Sequence, residues 1–559
     1  MSLPGSRRTR AALVASASVA LVVTSTPAAD ARTVDDARLT PRTHFVLRPL
    51  NPDGTAPAPA AKGDAIPNID SVKSTIRRYY NASSAGIADK AGSPYISQMA
   101  QIESAVLQQL PDPAPAAHLA VVLDADDTTL WTYDMEDGAM HFNFDPVLQN
   151  TWVQEGRFPA TPGMVAFVDE VERRGYDVYG ITGRGASQEQ ATLDNLGKVG
   201  YHGFDADNFF TKFDATSPKP AYLDCHTSAD PNDDPAKCTT VEYKAGTRAH
   251  IEAPADQGGL GEQIVLNIGD QYSDLQGGHA ANSVKLPNPT YYLPSPDVQG
   301  APASDAGLTL PTRFHMAADG SSGATTPGDR IPNIDNVKGA IRAYYGAVNG
   351  IADKSSSPYI RQMRAISKHW SHRLTNICTR GARQHQRPAV VFDADDTTLW
   401  TYDMEDGAMH FNFDPTLQNT WVQEERFPAT PGMVRVVRAA ARAGCKVVGL
   451  TGRNNAQRTA TLDNLAKYYY DRNGNPLFKS AYYFTKWPST DTPPAYVDCS
   501  LDGDASKCST IDYKASTRRH VQRAARLHIV ANFGDQFSDL IGGSSDRVVK
   551  LPNPTYYLP

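Results

Sequence analysis

"LAVVLDADDTTLWTYDMEDGAMHFNFDP" occupies residues 119–146, and its last 23 letters recur without change at residues 393–415. Seven of those 23 are carboxylates, three of them in the first four positions. The apolar run at 119–123 shows no alternation, as expected of a strand buried on both faces of a parallel sheet. It stops at Asp124, so that carboxylate should project from the carboxyl end of the strand. Asp126, two residues on, can point into the same crevice. Two neighbouring carboxylates cannot both stay charged cheaply without a cation or a shared proton. One serves naturally as an ionised nucleophile, the other as proton donor and acceptor. A helix N-cap with first-turn acids would explain Asp126 or Asp127, but not the groups that accompany them elsewhere.

Two more apolar runs end in polar groups, "YDVYGITGR" at 176–184 and "QIVLNIGDQ" at 263–271. Helical stretches, such as 187–198, lie between the runs. Strand–helix alternation predicts a doubly wound α/β sheet with its chemistry at the carboxyl ends of the strands. "IPNID" begins at residues 66 and 331, and "LPNPTYYLP" ends at residues 294 and 559. The chain is therefore a tandem duplicate, with copies at 66–294 and 331–559 and a Pro-, Gly-, Ser- and Ala-rich linker at 295–330. Each copy opens with helices. Val72, Ile76, Tyr79 and Tyr80 mark one apolar face after an Asn68/Asp70 cap, and Met99, Ile102 and Val106 mark a second.

Charged residues make up 21% of the chain and the net charge is −7, which offers no basic surface for nucleic acid. Arg7, Arg8 and Arg10 precede an apolar run at 11–23 and an Ala29-Asp30-Ala31 cleavage site. Residues 1–31 thus read as a signal peptide, with either general or twin-arginine export open, and 32–65 as a loose arm. The expected product is secreted, with no membrane attachment after cleavage. Six cysteines fit an oxidising compartment. Spacing pairs Cys225 with Cys238 and Cys499 with Cys508. Cys378 and Cys445, both absent from the first copy, either pair with each other or are two unrelated buried thiols. The absence of C-x-x-C spacing argues against zinc.

Further groups complete the set. "GITGR" places Thr182 at the end of the second strand; "VEYKAGTR" supplies Lys244 and Arg248; "NIGDQYSDL" supplies Asp270 and Asp274. The second copy repeats each: Asp393 and Asp395, Thr451, Lys514 and Arg518, Asp535 and Asp539. This order, D-x-D-x-T, Thr, Lys, G-D-x-x-x-D, resembles the four motifs of the haloacid dehalogenase (HAD) superfamily. "FPATPGMV" and "ATLDNLGKVGY" narrow the resemblance to the class B-type acid phosphatases and plant vegetative storage proteins. It covers nearly all of each copy. Ala245 and Ala515 depart from it, standing where such relatives often carry Ser.

The resemblance implies a Mg²⁺-dependent phosphomonoesterase acting on a small phosphomonoester. Asp124 and Asp393 would attack phosphorus, forming an aspartyl-phosphate. Asp126 and Asp395 would serve as acid and base. Mg²⁺ would be held by Asp124, the main-chain carbonyl of Asp126, and Asp270, and by Asp393, Asp395 and Asp535 in the second copy. Thr182, Lys244, Thr451 and Lys514 would bind phosphoryl oxygens. Asp274 and Asp539 would act from behind the metal or the lysine. Arg248 and Arg518 would either touch phosphate or serve as i,i+4 surface partners. The long insert after the first strand would form a small cap. Trp131, Tyr133, His141, Phe142 and Trp152 are its candidate substrate contacts, with the cap's own core as the other reading. Alternatives are a nucleotidase or phosphotransferase of the same superfamily, or a non-catalytic storage or binding protein on the same fold, which the presence of both Asp124 and Asp393 disfavours. Each copy carries a full chemical set, so no element need be borrowed across the linker and the sites are expected to act independently.

Overall fold

The structure, a computed structural model, describes residues 66–558 except 111, 114–116, 216, 233, 235, 308–330, 489–490 and 502–506. The expected signal peptide, the arm and most of the linker lie outside the described residues.

The first copy runs α1 (Ile69–Tyr79), α2 (Pro94–Gln109), β1 (Leu119–Leu123), α3 (Pro146–Gln154), α4 (Met164–Arg173), β2 (Asp177–Gly185), α5 (Glu189–Val199), β3 (Phe209–Lys212), α6 (Thr240–Glu252), β4 (Gln263–Gly269), α7 (Tyr272–Leu275) and β5 (Ser283–Lys285). The second repeats it as α8 (Ile334–Tyr345), α9 (Pro358–Arg383), β6 (Pro388–Phe392), α10 (Tyr402–Glu405), α11 (Pro415–Gln423), α12 (Met433–Arg442), β7 (Lys446–Asn454), α13 (Arg458–Ala466), β8 (Tyr483–Lys486), α14 (Thr510–Ala524), β9 (His528–Gly534), α15 (Phe537–Leu540) and β10 (Val548–Lys550). Each copy has a five-stranded parallel sheet, ordered β3-β2-β1-β4-β5 and β8-β7-β6-β9-β10. The expected doubly wound α/β class is thus observed. Strand order reverses beside β1, and a crevice opens there at the carboxyl edge. Asp124 and Asp270 leave β1 and β4 on the two sides of that switch point.

Local chemistry sets the helix ends. Asn68 caps α1 by accepting from the amides of Asp70 and Ser71, as the sequence predicts. Thr239 and Glu242 form a capping box at α6, which places Lys244 one turn into the helix. The apolar face of α1 is buried: Val72, Ile76 and Tyr79 are nearly inaccessible.

All three disulfides are present: Cys225–Cys238, Cys499–Cys508 and Cys378–Cys445. The last closes a separation of 67 residues and ties α9 to the start of β7. In the chain-entropy model such a loop contributes about 4 kcal/mol. It accompanies a longer helix, since α9 has 26 residues where α2 has 16.

The copies pack together with reciprocal contacts and share one continuous buried apolar cluster, while each also keeps a smaller cluster of its own. The Ile69 amide donates to the Pro554 carbonyl at 2.9 Å, and the Ile334 amide donates to the Pro289 carbonyl at 2.9 Å. Asn143 reaches the His410 carbonyl at 3.1 Å, and Asn412 the His141 carbonyl at 3.1 Å. The sequence leaves open whether the two copies pack together; here they are in direct contact. The cap end of each opening helix docks on the closing segment of the other copy, while its far end stays with its own: Arg77 pairs with Asp137 at 2.7 Å and the Tyr79 hydroxyl donates to Gln98 at 2.7 Å.

On α2, burial pushes the Glu103 carboxyl up to about 7, and its Oε1 is buried with no partner among the described residues. The unfolded chain releases this proton near 4.5, so stability from the protonated group is complete below that pH and is lost as pH rises toward 7. Glu103→Gln should therefore match the parent in thermal unfolding at pH 4 and exceed it at pH 8. A gain of ~1–2 kcal/mol is expected, the full linkage value being discounted for solvent screening at a partly exposed site. Equal stabilities at pH 8 would contradict this account.

Candidate active site

The loop after β1 is held from both sides. The Asp124 amide donates to the Ile268 carbonyl of β4 at 3.1 Å, and the Thr129 hydroxyl donates to the Asp124 carbonyl at 3.1 Å. Asp127 sits at φ +49°, a left-handed position that Asp tolerates, and this turns the chain back into the insert. Its carboxylate accepts from the Thr132 amide at 3.0 Å and hydroxyl at 2.6 Å.

Lys244 is the hub of the first site. Its Nζ donates to Asp124 Oδ1 at 2.6 Å and to Asp274 Oδ1 at 2.6 Å, with all three side chains buried. Asp124 Oδ2 makes no hydrogen bond to a described residue. Asp274 Oδ2 accepts from the Gln271 amide at 2.8 Å, so both of its oxygens are engaged. Gly269 makes room for it, since a Cβ there would lie 2.4 Å from Asp274 Cβ. The Gly of G-D-x-x-x-D thus has a packing cause.

Asp270 Oδ2 accepts from Gln271 Nε2 at 2.6 Å and from Asn288 Nδ2 at 2.7 Å, while its buried Oδ1 has no partner among the described residues. Carboxylate oxygens of Asp124, Asp270 and Asp274 lie within 4.8 Å of one another, as do those of Asp393, Asp535 and Asp539. Burial, with repulsion from Asp274 and Asp127, pushes Asp270 up to about 7. Burial also drives Asp124 well above the usual carboxylate range, against the pull of Lys244. Burial disfavours charge on Lys244, yet Asp124 and Asp274 outweigh it and raise its proton affinity. The site carries more negative charge than Lys244 alone can offset, and a hard cation would relieve the excess.

Asp126 takes a different partner. Arg184, buried at the end of β2, grips it bidentately, Nη2 to Oδ1 at 2.6 Å and Nε to Oδ2 at 3.1 Å. Arg453 holds Asp395 in the same way. Thr182 is buried beside β1, and its hydroxyl accepts from the Arg184 amide at 3.2 Å; Thr451 does the same for Arg453.

The second site repeats the design. Lys514 Nζ donates to Asp393 Oδ1 at 2.8 Å and to Asp539 Oδ1. One difference is local: Asp535 Oδ1 accepts from the Thr397 hydroxyl at 3.1 Å, whereas Thr128 Oγ1 has no partner among the described residues of the first site. A cavity of about 590 Å³ opens over the second site, lined by Asp393, Asp395, Arg453, Lys514 and Asp539.

One sequence expectation changes. Arg248 and Arg518 are neither phosphate ligands nor surface partners. Both are fully buried, and Arg248 donates to the carbonyls of Asp274 at 2.7 Å, Gln276 at 2.5 Å and Gly278 at 2.9 Å. Arg518 clamps the Asp539, Ile541 and Gly543 carbonyls in the same way. A guanidinium one turn beyond the lysine points into the loop after β4, so it braces the acidic residues from behind. Of the two readings of the cap aromatics, the structure places Trp131 and Tyr133 in the core. Trp131 and Tyr133 stack on Tyr95 and Tyr80 of the opening helical region. None of Trp400, Tyr402, His410, Phe411 and Trp421, their second-copy counterparts, lines the cavity; Met404, Glu405, Phe413, Gln418 and Asn419 do. Large rings bury themselves in the core because that removes the most apolar area from water.

Sequence reasoning assigns no role to Arg184 or Asn288. Arg184 ends the quoted GITGR run, and Asn288 sits in the nine residues that close both copies unchanged; repetition is the signal that could have found them.

The model of the HAD superfamily, subfamily IIIB (acid phosphatase), matches residues 87–294, 348–488 and 496–559. The chain belongs to this family. The matched spans begin after α1 and α8. Among relatives of this subfamily IIIB chain, Stem 28 kDa glycoprotein of Glycine max is 31% identical over 152 residues, covering 27% of this chain and 50% of that protein. Acid phosphatase 1 of Solanum lycopersicum is 27% identical, covering 34% of this chain and 68% of its own length. Vegetative storage protein 1 of Arabidopsis thaliana is 27% identical, covering 30% and 55%. The chain thus spans about half the length of the first of these relatives. A class C acid phosphatase structure from Bacillus anthracis aligns at 18% identity and TM-score 0.27, covering 40% of this chain and 86% of that one. Among the described residues, no helix of this subfamily IIIB chain is long and apolar enough to cross a membrane.

Proposed function

We propose that the protein is a secreted, Mg²⁺-dependent phosphomonoesterase with two active sites, each working through an aspartyl-phosphate. The observation that carries this reading is the buried contact of Lys244 with Asp124, repeated by Lys514 with Asp393. A lysine holding one oxygen of a buried carboxylate leaves the other oriented for attack, and its charge offsets that of the arriving phosphoryl group.

Asp124 Oδ2 attacks phosphorus, the bond to the leaving oxygen breaks, and the phosphoryl group passes to the carboxylate. Asp126, about a quarter exposed, is placed to protonate the leaving alcohol. It then takes a proton from the water that hydrolyses the aspartyl-phosphate. Arg184 fixes its orientation through both steps. Thr182 and Lys244 bind the phosphoryl oxygens.

The residues present fit a hard divalent cation. Asp270 offers a buried oxygen with no described partner, beside Asp124, and oxygen donors suit Mg²⁺. Asp124 and Asp270 would hold it, with Asp393 and Asp535 in the second copy; the main-chain carbonyls of Asp126 and Asp395 complete the proposed set. When bound, the cation would neutralise charge on the phosphoryl group. Asp274, whose oxygens are both engaged, orients Lys244 instead. The leader-like N-terminus and three disulfides support secretion.

The test is hydrolysis of p-nitrophenyl phosphate by the purified chain before and after exhaustive EDTA treatment. Turnover should disappear on chelation and return with Mg²⁺. Full activity after chelation would overturn the metal-dependent mechanism.

A further inference from the structure

The wall of the second cavity includes one residue from the first copy. Asp70, on α1, lines it together with Asp393, Asp395, Tyr556 and Tyr557. Its Oδ2 accepts from the Tyr557 amide at 3.1 Å. Asn68, at the cap of the same helix, donates to the carbonyls of Tyr556 at 2.5 Å and Asn553 at 3.3 Å. Those two residues hold the metal aspartate: Asn553 Nδ2 donates to Asp535 Oδ2 at 2.8 Å, and the Tyr556 hydroxyl donates to the same oxygen at 3.0 Å. Lys73, one turn along α1, reaches the opposite wall. It donates to the Phe411 carbonyl and to Asn412 Oδ1 at 2.8 Å, next to cavity-lining Phe413. An ion pair between Asp70 and Lys73 at 3.6 Å joins the two attachments. Helix α1 therefore ties the closing segment of the second copy to that copy's cap.

The mirror image holds at the first site. Asn333 on α8 donates to the carbonyls of Tyr291 at 2.5 Å and Asn288 at 3.3 Å. Asp335 accepts from the Tyr292 amide at 3.1 Å, and Lys338 donates to the Phe142 carbonyl. Asn288 is the residue that holds Asp270.

We infer that α1 and α8 each bridge the two copies, pairing with their own insert through Arg77–Asp137 and Arg342–Asp406 and with the other copy's closing segment through Asn68/Asp70 and Asn333/Asp335, so that each active site is built from both copies. Asn68 and Asp70 are positioning residues for Asp535 and the cavity of the second site; Asn333 and Asp335 serve Asp270 and the first. This rests on the proposed phosphatase reading and extends it. It also gives the duplication a structural reason, because each copy braces the closing segment of the other.

Single-site backgrounds test it in the full chain. Asp124→Asn leaves only the second site, and Asp393→Asn leaves only the first. Asp70→Ala should raise KM for p-nitrophenyl phosphate at least fivefold more in the Asp124→Asn background than in the Asp393→Asn background. Asp335→Ala should show the reverse. Asp70→Asn, which keeps an acceptor for the Tyr557 amide, should recover most of the loss. A larger effect on the site of its own copy, an equal effect on both, or no effect on either would overturn the inference. Hydrogen–deuterium exchange reads the same contact without turnover. Asp70→Ala should speed exchange of amides at 553–558 and spare 288–293; unchanged exchange at 553–558 would overturn it. If the unsubstituted chain does not hydrolyse the ester at all, the phosphatase reading fails, while the exchange measurement still decides whether α1 holds the closing segment.

Discussion

Asp124→Asn combined with Asp393→Asn should reduce phosphomonoester hydrolysis to near background, a loss of roughly 10⁴-fold or more, the scale seen when other covalent nucleophiles are removed. Each substitution keeps the shape of the side chain and removes the charge that attacks phosphorus. Lys244 and Lys514 keep a hydrogen-bond acceptor, so neither site should collapse. Neither substitution touches α1 or α8, so the walls that one copy supplies to the other stay in place. The residual rates of the two single variants should therefore sum approximately to the rate of the parent. Steady-state rates on p-nitrophenyl phosphate check this. If one single variant alone abolishes activity, the two-site reading is wrong.

Lys244→Met, made in the Asp393→Asn background, should lower kcat/KM by roughly 10³-fold or more. Removing one charge-stabilising donor typically costs 10²–10³-fold, and here the same loss also frees the nucleophile from its guide. Stability should fall as well. Lys244 is buried between Asp124 and Asp274, and deleting one partner of a buried pair costs about 3–5 kcal/mol. Lys244→Arg should not rescue it, because a planar fork cannot take the place of a point charge between two carboxylates. Activity within tenfold of the background, with unchanged thermal unfolding, would show that the lysine is peripheral.

The chemical set is legible in the amino-acid order alone. Apolar runs ending in Asp124, Thr182 and Asp270 mark strands whose last residues share one edge, and the order of motifs points to the superfamily. Cys225–Cys238 and Cys499–Cys508 follow from spacing. Less legible is the direction of side chains. The sequence places Arg248 near phosphate or on the surface, yet it braces carbonyls behind Asp274. Trp131 is a candidate for substrate contact by its position in the insert, yet it stacks in the core. One residue in the sequence does not say which way a long side chain turns once neighbouring elements have packed.

By itself, the sequence determined the duplication, the strand ends, and which aspartates, threonine and lysine accompany them. These are local properties: an apolar run must end, and the residue at its end must project from the sheet. Tertiary structure alone decided that Arg184 grips Asp126, that Asn288 holds Asp270, and that Asp70 belongs to the cavity of Asp393. Those contacts join residues 58, 18 and more than 300 positions apart, and α1 touches both copies at once. Apolar periodicity says only that a face must be covered; the packing of the two copies decides what covers it.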